Sequence, residues 1–249
     1  MSISEHSNIS LYGKGVFTTV AVCKGEPFSW EKHWQRLVRH SERIGLEISE
    51  HSSGSVRRVV SKEIERSGIV DGRVRVSFLD ASSSEIWGGN ETGTLLSVLV
   101  GERRDLANEF KLGISEDLVC TASPLAGIKS CNYLEPLLTL GEAKNRGFDE
   151  AIRLNERGEI TSACMANVFW HKAGRLYTPS LKTGCLAGTT REYILENLEC
   201  DEVEAGIEEL NRADEIFLTS AGIGVVQVAE FDRRKLAPAD RQILRVLPF

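Results

Sequence analysis

Glu150-Ala-Ile-Arg-Leu154, Asn155-Glu-Arg-Gly158, Ala166-Asn-Val-Phe-Trp-His171 and Arg175-Leu-Tyr-Thr178 follow one another with no helical stretch between them. The first, third and fourth segments carry β-branched and aromatic residues and read as strands, while the second is a polar turn. Strands joined by turns build antiparallel or mixed sheets, whereas a parallel sheet needs long crossover connections. Regular strand–helix–strand alternation is missing here. The fold class is therefore α/β of the mixed, α+β kind, and not a doubly wound dinucleotide sheet.

Working outward toward the N-terminus, Gly15 to Cys23 reads as a strand and Lys24-Gly-Glu-Pro27 as a turn. Ser29 is placed to cap a helix through Ile44, and Trp34, Leu37, Val38, Ile44 and Leu46 form its apolar stripe. Ser52 to Ser55 reads as a loop before a helix from Val56 to Arg66. Arg73-Val-Arg-Val-Ser-Phe-Leu79 alternates with period two. Asp80 to Gly93 is a polar, glycine-bearing loop, followed by a strand from Thr94 to Val100. Leu112 to Leu125 is a strand and then a loop with Pro124. That segment is the expected boundary: a smaller domain over 1–111, a connecting segment over 112–125 and a larger domain over 126–249. A helix is expected over Asn132 to Asn145, with Pro136 in its first turn. Another opens near Thr189, and a late strand, Glu215 to Thr219, meets the loop Ser220 to Gly224.

Composition narrows the function. The chain has 249 residues, 41% of them hydrophobic, with 30 Lys+Arg against 36 Asp+Glu and a formal net charge of −6. That hydrophobic share excludes a disordered chain, and the negative balance argues against a nucleic-acid partner. The N-terminal residues lack the basic and apolar runs of a signal peptide, and no stretch approaches the ~20 apolar residues of a membrane span. The six cysteines are scattered without a Cys-x-x-Cys pair, and no His-x-x-x-His occurs. Neither a disulfide framework nor a metal site is expected, and the location is expected to be cytoplasmic.

Tyr12-Gly-Lys-Gly15 and Ala221-Gly-Ile-Gly224 match no nucleotide motif and read as turns. Leu186-Ala-Gly-Thr-Thr-Arg191 is more informative. Gly188 permits close approach, and Thr189 and Thr190 bring hydroxyls and amides to a helix N-terminus, a combination that binds phosphate dianions. A capped helix start explains the same residues.

Four segments in this order resemble a known family. They are Tyr12-Gly-Lys-Gly-Val-Phe-Thr-Thr19, His33-Trp-Gln-Arg-Leu37, Leu125-Ala-Gly-Ile-Lys-Ser-Cys-Asn-Tyr-Leu134 and the run from Gly158 to Phe169 through Leu186 to Arg191. The chain resembles the class IV, fold-type IV pyridoxal-phosphate enzymes, closest in motifs to 4-amino-4-deoxychorismate lyase. The resemblance implies two α/β domains with pyridoxal 5'-phosphate in the cleft between them, a small-molecule substrate and a homodimer. It places the Schiff-base lysine at Lys129, where Leu125, Ala126, Gly127 and Ile128 would desolvate the amine and favour its neutral form. It gives the phosphate to Arg36, Thr189, Thr190 and Ser220. It sets Tyr133 beside the cofactor's phenolic oxygen, with helix packing as the plainer role.

One departure stands out. Family members carry a glutamate five residues before the asparagine of Asn-x-Phe, where it keeps the pyridine nitrogen protonated; here that position is Ser162. A hydroxyl supports the ring as an electron sink far less than a carboxylate does. Glu159, three residues away, is expected on the opposite face of a strand. Amino transfer should suffer from this change. A lyase that expels pyruvate and leaves aromatic 4-aminobenzoate, a folate precursor, draws its driving force from aromatisation. Phe17-Thr-Thr19 and Ala166-Asn-Val-Phe-Trp170 lean the same way. The alternatives are a class IV aminotransferase for branched-chain or D-amino acids, and a pyridoxal-phosphate-binding protein that has lost its activity. Arg73 and Arg75, two apart on one strand, share a face and are candidates for the substrate carboxylate, with surface pairing as the plainer role. Trp87 and Trp170 either line the pocket or pack.

Overall fold

The computed structural model describes residues 3–83 and 93–248. Contacts divide the chain into two compact units, Met1–Arg104 with Ile128–Tyr133 and Asp105–Gly127 with Leu134–Phe249. The division read from the sequence changes domain once, at 112–125. The contacts change unit earlier, between Arg104 and Asp105, and return Ile128–Tyr133 to the first unit.

In the first unit, α1 (Asn8–Tyr12) precedes β1 (Gly15–Cys23), β2 (Glu26–Pro27), α2 (Trp30–Arg43), α3 (Ser53–Ser67), β3 (Gly72–Asp80) and β4 (Thr94–Glu102). The strands form one antiparallel sheet in the order β2-β1-β3-β4, with Gly15 opposite Leu79 and Val22 opposite Gly72. Alternation sorts the side chains. Val16, Val20, Val22, Val74, Val76 and Phe78 form one core with Trp30 and Leu37 of α2 and Val56, Val60 and Ile64 of α3. The opposite face carries Phe17 and Arg75, leaving it free for polar work. Gly72 is required by this sheet, because a Cβ there would lie 2.6 Å from the Gly101 carbonyl oxygen.

Two helix starts differ from expectation. Ser29 occupies the cap position of α2 but has φ +50° and makes no side-chain capping bond. The tight turn that returns Phe28 to β1, through its N–H to the Ala21 carbonyl, sets that backbone. Ser53 to Ser55, expected as loop, form the first turn of α3. Ser52 and Ser55 cap each other's backbone reciprocally, so serines that look loop-like by composition serve as a helix start.

The second unit contains β5 (Lys111–Ile114), α4 (Leu134–Asn145), β6 (Glu150–Leu154), β7 (Ile160–Ala163), β8 (Asn167–Lys172), β9 (Arg175–Pro179), α5 (Thr189–Asn197), β10 (Asp201–Val203), α6 (Glu208–Asn211), β11 (Glu215–Ser220), β12 (Gly224–Gln227), β13 (Glu230–Phe231) and β14 (Arg234–Lys235). The strands make two mixed sheets, β14-β13-β5-β6-β7 and β10-β9-β8-β11-β12. Leu112, Ile152 and Ile160 of one sheet pack with Val168, Trp170, Ile216 and Leu218 of the other. α4 covers the first sheet through Leu140 and Ala143, against Ala151. Ile194 of α5 covers the second against Phe169 and Phe217. Among the described residues the result is a mixed α/β fold with three sheets.

Trp170 is buried in this core and stacks on Tyr177 at 5.9 Å, so it packs; Trp87 lies outside the described residues. Among the described residues no helix is long and apolar enough to cross a membrane.

Candidate active site

Lys129 is held on the edge of β1. The Phe17 N–H donates to the Lys129 carbonyl at 3.0 Å and the Cys131 N–H to the Gly15 carbonyl at 2.8 Å, with Val16 and Ser130 in an antiparallel bridge. A third anchor comes from α2, where His40 Nδ1 accepts the Lys129 backbone N–H at 3.0 Å. With its backbone fixed on two sides, the lysine has a defined place to send its amine. The Nζ group donates to the Tyr133 hydroxyl at 3.2 Å and lies 4.6 Å from the centre of the Phe17 ring and 4.8 Å from that of Tyr133. The two rings meet edge to face. Arg75 also stacks over Phe17, 3.5 Å from the ring centre.

This surrounding lowers the Lys129 pKa to about 7, chiefly because burial disfavours the ammonium and further because Arg36 and Arg75 are like charges. Arg36 is only 3% exposed and its NH2 group donates to Thr18 Oγ1 at 2.5 Å. The same hydroxyl meets His33 Nδ1 at 2.7 Å. Burial, then the Arg36 charge, holds His33 neutral well below its usual pKa. His40 is lowered to about 4 by burial first, then by Arg36, Arg39 and Lys129. A neutral His40 keeps the lone pair that its bond to Lys129 requires.

In the second unit, Thr189 and Thr190 are the buried first residues of α5, and its cap residue Gly188 supplies no side-chain bond. First-turn N–H groups have no partner within a helix, so this end presents donors outward. Gly188 allows this close approach, since a Cβ there would collide with Asn167 Oδ1 and force that side chain to shift. Asn167 Nδ2 in turn holds the Leu186 carbonyl at 2.9 Å. Asn167 opens β8 and pairs with Thr219 on β11, one residue before Ser220, and α5 packs on β11. Thr189, Thr190 and Ser220 thus belong to one end of one sheet.

A buried amine with a near-neutral pKa adds readily to a carbonyl, and an uncapped helix N-terminus with threonine hydroxyls suits a phosphate dianion. Pyridoxal 5'-phosphate carries both functions, an aldehyde that the first group of residues suits and a phosphate that the second suits. The model of the family Amino-transferase class IV matches residues 15–231. The chain belongs to the class IV aminotransferase family. Members of this family are pyridoxal-phosphate enzymes. The chain is 31% identical over 237 residues to the aminodeoxychorismate lyase of Bacillus subtilis, covering 89% of this chain and 79% of that one. In fold it is similar to the branched-chain aminotransferase of Thermoproteus uzoniensis, with a TM-score of 0.90, 25% identity and coverage of 98% and 86%. It is also similar to a putative 4-amino-4-deoxychorismate lyase of Legionella pneumophila, with a TM-score of 0.89, 24% identity and coverage of 99% and 93%.

In this class IV enzyme, Arg36, Arg75, Lys129 and Tyr133 form one group in the first unit. Arg73, two residues from Arg75 along β3, is exposed and bears no part of that group's contacts. Ser162 lies on β7 directly opposite Arg153, beside an irregularity in register. That irregularity breaks the strict alternation behind the expected placement of Glu159. Its carboxylate is committed elsewhere, accepting from Arg157 Nε at 3.0 Å and NH2 at 2.7 Å and from Asn155 Nδ2 at 2.7 Å. Phe17, His40 and Asn167 are participants that sequence reasoning assigned no role. The spacing of His40, four residues after Arg36 and so on the same helix face, is a signal for it. Asn167 has none, because its bond spans a loop to Leu186.

Proposed function

We propose that this class IV enzyme is a 4-amino-4-deoxychorismate lyase, releasing pyruvate and 4-aminobenzoate for folate synthesis. The observation that carries the reading is the Lys129 amine, buried, poised near neutrality and set among Arg36, Arg75 and Tyr133. The likeness to the Bacillus subtilis lyase supports the choice of reaction. When bound, pyridoxal 5'-phosphate supplies an aldehyde for amine exchange and a ring that accepts electron density.

The chain's own residues do the rest. Lys129 would hold the aldehyde through its neutral amine, and its Nζ, when free, would take a proton from the substrate and return it. Tyr133 accepts from Nζ and orients it, and its hydroxyl would serve the cofactor's phenolic oxygen. Arg36, Thr189, Thr190 and Ser220 would hold the phosphate, and Ser162 would stand nearest the ring nitrogen. Arg75 takes a substrate carboxylate, with Arg73 adding positive charge at the outer end of the same strand face. Phe17 excludes water from the amine.

Ser162 favours elimination over amino transfer, because a neutral hydroxyl leaves the ring a weaker electron sink and aromatisation compensates. The fold likeness to a branched-chain aminotransferase keeps amino transfer as the second reading. The enzyme works as a cytoplasmic homodimer, a reading supported by the apolar stripe Leu134, Leu137 and Leu138 on α4, which are 67%, 53% and 62% exposed. The deciding assay supplies 4-amino-4-deoxychorismate and, separately, amino donors with 2-oxoglutarate. Pyruvate and 4-aminobenzoate without keto-acid turnover are expected. Keto-acid turnover alone would overturn the lyase reading, and neither product would leave a protein that binds the cofactor without its chemistry.

A further inference from the structure

Arg153 is a buried cation for which the roles above have no use. It sits on β6 with its side chain 8% exposed, and its NH2 group is ion-paired with Glu135 of α4. Its Nε–H is buried and has no hydrogen-bond partner among the described residues. Leaving a donor of a charged group unsatisfied in the interior is costly, so such an atom asks for an acceptor. The register supplies a direction. Arg153 is the cross-strand partner of Ser162, and directly opposed residues of an antiparallel pair share a face with Cβ atoms about 4.5–5.5 Å apart. Neighbouring pairs alternate as they should, since Ile152 and Ala163 point together into the core between the sheets. Arg153 and Ser162 therefore point together to the other side.

We propose that Arg153 is the residue that confronts the ring nitrogen of bound pyridoxal 5'-phosphate, donating a hydrogen bond to it and holding it unprotonated. The proposal rests on the reading that Ser162 lies beside that nitrogen. A guanidinium has donors and no acceptor, and it stays charged at any pH the protein survives. A ring nitrogen facing it can only accept, so it must keep its lone pair. A second positive charge on the ring would also meet a like charge at short range. Ser162 is compatible with this arrangement, because a hydroxyl can donate as well as accept. Glu135 takes the NH2 end of the guanidinium, and Nε is left as its buried donor without a partner among the described residues. Arg153 is thus a specificity-determining residue. It tunes the ring toward reactions whose products supply the driving force and away from amino transfer, which needs the protonated ring.

The test uses the full-length protein loaded with cofactor carrying nitrogen-15 in the ring. The resonance is expected at the position of an unprotonated pyridine and unmoved across neutral pH. Ser162→Glu alone is expected to leave it there, because the new carboxylate pairs with Arg153. Ser162→Glu combined with Arg153→Leu is expected to move it to the pyridinium position. If Arg153 only ties β6 to α4, Ser162→Glu alone would already produce the pyridinium, and that result overturns the proposal. A pyridinium resonance in the unaltered protein overturns it too, even if the double variant does not fold. The underlying reading fails separately: mixing with the cofactor would give no visible absorbance band, or a band that survives Lys129→Ala.

Discussion

Gly188 faces the side-chain carbonyl of Asn167 so closely that a Cβ on residue 188 would force the Asn167 side chain to shift. Asn167 uses its other end to hold Leu186, two residues before Gly188, so the strand start and the helix start are built as one piece. Gly188→Ala is expected to push the Asn167 amide aside and displace the start of α5. Thermal unfolding and cofactor titration should both worsen. In an Asn167→Ala background the same change should cost less, with a coupling of about 0.5–3 kcal/mol. Additive effects would show that the contact does not organise this loop.

The Lys129 amine should react as a near-neutral base. Reductive trapping with an aldehyde should reach half its maximal rate at a pH of about 7. Arg75 is one of the two like charges that depress this value, so Arg75→Met should move the midpoint upward. A midpoint that stays in place would remove Arg75 from the electrostatics of the site.

His40 provides an acid limit. Its pKa is lowered to about 4 in the folded chain against an ordinary 6.5, so only the unfolded state gains a proton between these values. Stability is therefore unaffected by this group above its ordinary pKa and declines as the pH falls toward 4, with His33 acting in the same direction. His40→Asn keeps an acceptor near the Lys129 N–H but does not titrate there. Denaturant unfolding as a function of pH should show a shallower acid decline for this variant. An identical slope would remove His40 from the cause.

The exposed leucines of α4 recur at the spacing of one helix face, Leu134 with Leu137 and Leu138. Leu137→Asp with Leu138→Asp should turn a dimer into a monomer by sedimentation while leaving the helical signal intact. An unchanged dimer mass would move the interface elsewhere.

Some of this was readable along the chain and some was not, for physical reasons. Gly15 to Cys23 coincides with β1 because its β-branched residues sit where the sheet wants them. Glu150 to Leu154 and the start of α5 at Thr189 agree with expectation for similar local reasons. β7, β10, β12, β13 and β14 were not foreseen, since strands of two to four residues are shorter than the window in which alternation becomes visible. The site divides along the same line. Lys129 and Arg36 came from motifs. Phe17 under Arg75, and Arg153 opposite Ser162, are products of pairing register and appear only when strands meet.

The strip Lys129–Cys131 has a second consequence, for how the molecule comes to exist. It closes the open side of β1 at Gly15–Phe17, a contact between residues more than a hundred positions apart in the chain. Long loops are closed slowly, so this seam is among the later contacts to form during folding. Until then β1 offers bare N–H and C=O groups to any passing strand, the ordinary route to aggregation. The residue assigned the chemistry is also the one that seals the sheet, and a nascent chain that has not yet reached Lys129 is both inert and sticky.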